Sequence, residues 1–430
     1  MKDELRTGSA WGLLANRDFT LFLAARFCSM SAMQVLSVAV SWQIYERTGK
    51  ALDLGLIGFV QFLPALVLMP LTGEVADRVD RRRIVALCWA AGTGCALVLF
   101  GLMSRNSGAI WPVYAVLLVL AGMRAFAFTA QQALTPVLVS RDQLGRAIAW
   151  SSSFNNIAMI GGPALGGVLL GLGAGTSYLV SAALLGIATL GGVAIRTRTK
   201  PAEARAISFN EIFAGIRFVA GHSAVLGMIS LDLFAVLLGD VTALLPIYAR
   251  DILGVGSWGL GLLRSAPSIG AVLAALVLAQ YPLGRRAGWT MLAGLFVYGG
   301  CTILFALSRN LALSMAALVV LGSADMVSVF VRSTLVQTAT PDRMRGRVSA
   351  VNALFINTSN QIGQFESGLV AACFGTVPAA VIGGVGAILV AFSWNRMFPI
   401  LSRVDLSPPG LKLLAESAER GSETMLVSRR

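Results

Sequence analysis

Charge is what this sequence has least of. Asp, Glu, Lys and Arg make up 13% of its 430 residues, against 56% hydrophobic residues. Soluble domains carry roughly a quarter charged residues, so water is excluded as the main solvent and no soluble domain of useful size remains. Histidine is nearly absent: the single one, His222, has no Cys, His or carboxylate beside it, and no metal site is expected. The five cysteines, Cys28, Cys88, Cys95, Cys301 and Cys373, all fall in apolar runs without CxxC spacing, which excludes a disulfide framework and leaves them as small buried residues. A phosphate-binding loop is missing from the polar segments, as is any arrangement of nucleophile and base. ATP-driven transport and catalysis both lack their parts, so neither an enzyme nor a cofactor is expected.

Long apolar runs are what is present, and the mean hydropathy is +0.75. A membrane span needs about 20 mostly apolar residues, and twelve such runs follow one another between residues 19 and 398. They predict an all-α integral membrane chain of twelve transmembrane helices in two pseudo-symmetric six-helix bundles. The expected parts are a cytoplasmic start (1–18), an N-terminal bundle (19–196), a cytoplasmic linker (197–221), a C-terminal bundle (222–398) and a cytoplasmic tail (399–430). The start is polar and the first run contains Arg26, which argues against a cleaved secretory signal.

A net charge of +13 and a pI near 10.3 raise the possibility of a nucleic-acid partner, but the placement of the charge argues otherwise. Of 34 basic residues, Arg47, Lys50, Arg105, Arg250 and Arg309 lie in the loops of one side, and Arg26, Arg124, Arg264 and Arg332 lie within spans. All the rest fall in the termini and loops of the other side. By the positive-inside rule both termini are cytoplasmic, and the partner implied is a bilayer rather than nucleic acid.

The chain also repeats itself. At an offset of 203, Tyr45, Arg47, Gly58, Pro64 and Arg82–Arg83 match Tyr248, Arg250, Gly261, Pro267 and Arg285–Arg286. At 201, Gly145–Arg146, Phe154, Asn156, Gly162 and Gly167 match Gly346–Arg347, Phe355, Asn357, Gly363 and Gly368. Parallel six-helix repeats imply two bundles with a substrate cavity between them at mid-depth, suited to alternating access. The polar stretch 196–221 joins them and is expected to end in an amphipathic helix.

Three segments carry more specific information. The loop after the second run contains Gly73, Asp77, Arg78 and Arg81, with Asp80 between the last two. It resembles the signature loop of the major facilitator superfamily, in which glycine allows tight helix contact and the Asp and Arg act at a cytoplasmic gate; Asp80 stands where that pattern has a second glycine. The fifth run contains Gly162, Pro163, Gly166 and Gly167, similar to the antiporter motif of drug and proton exchangers in that superfamily, where proline and glycine bend and thin the helix. The stretch GSADMVSVFVRSTLVQTATPDRMRGRVSAVNALFINTSNQIGQFESG and the early NRDFTLFLAARFCSMSAMQVLSVAVSWQIYERTG look like its enterobactin-exporter and macrolide-efflux branch. Where relatives often place an acidic residue just before FESG, this chain has Gln364, leaving Glu366 as the carboxylate of that segment.

Ionisable groups in a span cost roughly 2.5–3.5 kcal/mol each and so face a cavity or a partner. The candidates are Arg26, Arg124, Asp232, Asp240, Asp325 and Arg332; each serves either function or a buried ion pair that positions two helices. Asp232, roughly 15 Å along the seventh helix, is expected to carry a proton, with Asp240 as a further carrier. Asp325 and Arg332 share a helix face about 10 Å apart, so Asp325 is expected to organise Arg332 within the substrate cavity. Arg264 and Glu366 lie outside the lining helices and are expected to be structural or gating. The resemblance implies a monomeric inner-membrane exporter of an amphipathic small molecule, siderophore or drug-like, driven by protons. A metabolite facilitator or importer, or a receptor or scaffold of the same fold, stays open.

Overall fold

The computed structural model describes residues 12–104, 109–197, 209–281, 283–284, 286–399 and 401–407. Arg285 of the repeat, most of the start and tail, and linker residues 198–208 lie outside them. The long helices are α1 (Arg17–Thr48), α2 (Ala51–Arg78), α3 (Arg81–Ser104), α4 (Trp111–Leu138), α5 (Leu144–Leu172) and α6 (Ala174–Ala194). A linker helix (Phe209–Gly221) precedes α7 (Ser223–Gly239), α8 (Gly256–Gln280), α9 (Ala287–Leu307), α10 (Leu311–Thr338), α11 (Asp342–Phe374) and α12 (Thr376–Met397).

Local sequence sets several helix ends. Asn16 caps α1, its side-chain oxygen accepting from the backbone N–H of Asp18 (3.1 Å) and Phe19 (3.2 Å). The same amide donates to the Leu138 carbonyl at 2.9 Å, tying the start of α1 to the end of α4. Asn310 caps α10 in the same way. At the other end of α1, Gly49 turns the chain with φ 61°, a left-handed conformation suited to glycine.

Among the described residues, eleven spans are long and apolar enough to cross a membrane, α7 counting with its continuation to Ile252. The twelfth long helix, α11, runs for 33 residues but falls short in hydropathy, because polar residues recur along it, from Asp342, Arg343, Arg345 and Arg347 through Asn352 and Asn357 to Asn360, Gln361, Gln364 and Glu366. The seventh span is not the single helix that the sequence suggested. Its α-helix stops at Gly239, and a 3₁₀ turn (Thr242–Leu244), a short helical turn (Leu245–Ile247) and a π turn (Tyr248–Ile252) complete it. Broken helices at membrane depth persist where the freed backbone groups find partners or line a cavity.

The chain divides into two compact units. The first comprises residues 1–49, 60–207 and 254–265; the second comprises 50–59, 208–253 and 266–430. The linker is therefore not the only crossing: α2 and α8 each begin in one unit and end in the other. Within the first unit α1 packs on α5 and α6, and α3 on α4 and α6; within the second α7 packs on α11 and α12, and α9 on α10 and α12. The same four pairings recur, as the sequence repeat requires.

Large side chains fill each unit; Tyr178 and Tyr248 bond their hydroxyls, whereas Trp89 Nε1 has no partner among the described residues. Tyr178 is fully buried and its hydroxyl donates to Gln43 Oε1 at 2.9 Å. In the second unit, Tyr248 packs its ring 4.4 Å from that of Phe305 and donates to the Ala306 carbonyl at 3.1 Å. Leu87, Leu190, Val193 and Leu276 are more than half exposed, an outward apolar surface of the kind a bilayer solvates. Between helices, van der Waals fit and small residues supply the cohesion that water would otherwise drive.

Candidate functional site

The loop after α2 is the first candidate. Arg81 reaches Asp77 Oδ1 at 3.5 Å, donates to the Ala133 carbonyl of α4 at 3.1 Å and to the Ala76 carbonyl at 3.2 Å. One guanidinium therefore fastens the end of α2 to the last turns of α4. The exposed Arg78 pairs with Glu74 at 2.7 Å. Asp80 has a job of its own: its carboxylate accepts from the Arg82 N–H at 3.1 Å, and its carbonyl starts the ladder of α3. It is the helix cap at this turn. A side chain at Gly73 would meet no atom within 4 Å, so this glycine makes no tight contact among the described residues.

In α5 the glycines are close-contact points. A Cβ at Gly162 would lie 2.6 Å from Gln34 Cβ of α1, and one at Gly166 would lie 3.1 Å from Val38 Cβ. At Gly167 it would lie 2.7 Å from the Ser257 carbonyl and 2.9 Å from Gly261 Cα, both of the α8 segment in the first unit. Pro163 exposes its carbonyl to Gly261 on the same face. The second unit repeats the device: a Cβ at Gly363 would press on the Val236 carbonyl of α7, and one at Gly368 would lie 2.5 Å from Gly55 Cα. These helices fit because the Cβ atoms are missing.

The spans also contain charge. In the first unit, Arg26 is half-buried with its Nε lacking a hydrogen-bond partner. Arg124, midway along α4, is exposed and has no hydrogen bond or ion pair among the described residues. Polar exposed groups lie along α5 as well: Ser152, Ser153 and Asn156. In α11 of the second unit, Asn357 and Asn360 are exposed likewise.

In the second unit, Arg332 of α10 is 3% exposed and its Nη1 faces Asp232 Oδ2 of α7 as a buried ion pair. The expectation from sequence is that Asp325 organises Arg332 and that Asp232 carries a proton; the ion pair formed by Arg332 is with Asp232. Asp325 lies two turns away on the same helix, a separation no direct pairing can close, whereas Asp232 reaches Arg332 from the neighbouring helix.

Asp240 sits where α7 breaks. Its side chain accepts from the Thr242 N–H at 2.8 Å, capping the 3₁₀ turn. Its carbonyl accepts a hydrogen bond from Ser367 Oγ of α11. Tyr298 of α9, 7% exposed, lays its ring against Gly239, where a Cβ would be 2.6 Å from Cε1. The structure thus sets Ser367, the neighbour of Glu366, on the Asp240 carbonyl and Tyr298 against Gly239. Sequence reasoning set Glu366 aside and missed Tyr298, because a tyrosine in an apolar helix carries no sign of its neighbours. No three His, Cys, Asp or Glu groups among the described residues are close enough to hold a metal ion.

Comparison with known proteins agrees on the class. The chain matches the family Major Facilitator Superfamily over residues 22–365. It is 27% identical over 402 residues to the enterobactin exporter EntS of Salmonella choleraesuis (strain SC-B67), covering 91% of this chain and 94% of that protein. It is 28% identical over 401 residues, with the same coverage, to EntS of Escherichia coli O157:H7 (strain EC4115 / EHEC). Among solved structures, a mutant of the nucleoside transporter NupG superposes with a TM-score of 0.72 at 15% identity, covering 89% of this chain and all of that one. With twelve long helices, repeated pairings in two units and this match, the chain belongs to the Major Facilitator Superfamily and is a multi-pass membrane transporter, not an enzyme.

Proposed function

We propose that this chain exports an amphipathic small molecule, of siderophore or drug-like type, in exchange for protons by alternating access. The observation that carries the reading is the likeness to enterobactin exporters over 91% of the chain. Intramembrane charge supports it. Asp232 of α7, Asp240 just beyond it, Asp325 and Arg332 of α10 and Glu366 of α11 all lie in spans, and such costly groups are retained where ions or substrates pass. In this reading the protein is a monomer of the bacterial inner membrane with both termini cytoplasmic, its bundles spanning 19–196 and 222–398. Arg26 and Arg124, each without a partner among the described residues, meet anionic groups of the substrate. The Gly73, Asp77, Arg78 and Arg81 loop works at the cytoplasmic gate, and the Gly162, Pro163, Gly166 and Gly167 face lets α5 move against its neighbours.

The test is reconstitution of the full chain into vesicles with an imposed pH gradient and enterobactin as the probe. Accumulation that follows the gradient and collapses with a protonophore is expected. Equilibration at a rate indifferent to the gradient would make the protein a facilitator, and no movement of any tested amphipathic probe would leave a receptor or scaffold.

A further inference from the structure

We infer that the segment Leu401–Leu406, just after α12, is a positioning strap for transport: it fixes the turn between α8 and α9 in the second unit, as Asp80 and Arg81 fix the turn between α2 and α3 in the first. The inference rests on the gate reading above and carries it into the second unit.

The two turns match by position in the repeat but not by their residues. At the offset of 203 that joins Arg82 to Arg285, Asp77, Arg78, Asp80 and Arg81 fall on Gln280, Tyr281, Leu283 and Gly284. Both the capping carboxylate and the fastening guanidinium of the first turn are therefore missing from the second. A helix start has orphan N–H groups wherever no cap accepts from them, and Arg286, the residue before α9, makes no side-chain cap bond.

The strap supplies backbone in place of those side chains. The Gly288 N–H, in the first turn of α9, donates to the Val404 carbonyl at 3.2 Å, which does for α9 what the Asp80 carboxylate does for α3. The Leu406 N–H donates to the Gly284 carbonyl at 3.3 Å. The residue that stands in the place of Arg81 is thus itself the point of attachment.

Burial seats the strap. The chain leaves α12 through Phe398, whose ring lies over α7, where a Cβ at Gly227 would be 2.9 Å from Cγ. One turn earlier, Trp394 Nε1 donates to Ser230 Oγ of α7 at 2.9 Å. A 3₁₀ turn (Leu401–Arg403) follows, and Leu401, Val404 and Leu406 are all buried. They share one apolar cluster with Phe218 and Val219 of the linker helix and with Ala287, Met291 and Leu292 of α9. Gly288 completes the seat, since a Cβ there would press on the Leu401 carbonyl. Past the last attachment, Asp405 Oδ1 accepts from the Ser407 N–H at 2.8 Å, a turn that closes the segment.

The α8–α9 turn therefore cannot shift against α9 without peeling three apolar side chains and two backbone bonds. A turn held in this way moves with its unit as one body, as alternating access demands of a gate. Loosening it slows the conformational step and leaves substrate binding as it was.

The test is hydrogen–deuterium exchange of the purified full chain, read in peptides over residues 283–290, beside initial rates of enterobactin transport in vesicles and a thermal scan of each variant. Gly288→Ala displaces the strap from the α9 side, and Leu406→Pro removes the donor on the strap itself. Each is expected to speed exchange at the start of α9 by about fivefold or more. Each should also lower the maximal transport rate of the folded protein several-fold, with the half-saturating concentration unchanged. Gly300→Ala, on the same helix with open space before it, should do neither. Leu406→Pro gives the reading where Gly288→Ala folds poorly. Unchanged exchange in both strap variants would overturn the inference. So would full transport by folded variants whose exchange has risen, when Arg81→Ala is impaired in the same vesicles. Full transport by Arg81→Ala as well would sink the gate reading instead, with the strap still holding its turn.

Discussion

Arg332 and Asp232 hold α10 to α7 through a buried ion pair, while Asp325, on Arg332's own helix, does not engage it. Removing one partner of such a pair leaves an uncompensated buried charge, which costs about 3–5 kcal/mol. Asp232→Asn and Arg332→Gln should each lower the thermal midpoint of the detergent-solubilised protein markedly. The double variant should recover much of the loss, because neither charge is then stranded. Equal stability of the single variants and the wild type would mean that the pair carries no weight.

Close approach of α5 to the α8 segment rests on missing Cβ atoms. Gly167→Ala should cost about 1–3 kcal/mol through overpacking, since its new methyl would lie 2.7 Å from the Ser257 carbonyl. Gly261→Ala, 2.6 Å from the Pro163 carbonyl, should do the same. Gly73→Ala meets open space and should leave stability unchanged or raise it by up to about 1 kcal/mol through helix propensity. Thermal scans of the three variants side by side separate a packing glycine from an idle one.

The turn between α2 and α3 separates two kinds of charge. Asp80→Ala should lower stability by about 1 kcal/mol through the lost cap, with Asp80→Ser restoring most of it and transport of the folded fraction unaffected. Arg81→Ala and Asp77→Asn should instead reduce vesicle transport several-fold while membrane insertion stays normal. Full transport by both would reduce the loop to an anchor.

Topology can be read directly. A reporter fused after Arg430 should be active as a cytoplasmic fusion, because the basic residues concentrate on that side. Periplasmic activity of that fusion would overturn either the number of spans or their orientation.

The sequence alone determined the class of solvent, the helix count and the repeat. These are properties of residues taken one at a time or at fixed offsets: apolar length, the side on which Lys and Arg fall, and Tyr, Pro and Asn recurring near a period of 200. Even α11, too polar to pass as a span by the hydropathy of its described residues, was read among the twelve runs, and its match to α5 at a fixed offset agrees with that placement. The tertiary structure alone decided which charges meet. Arg332 had Asp325 on its own face, and one-dimensional reasoning joined them. Pairing across helices depends instead on rotation and relative depth, which small side chains set at contacts such as Gly363 against Val236 and Gly239 under Tyr298. The break at Asp240 has Pro246 six residues further on, but a proline there does not say where the α-helix stops. The break exists because the Asp240 side chain, Thr242 and Ser367 satisfy the backbone there, and only the folded unit brings those three groups together.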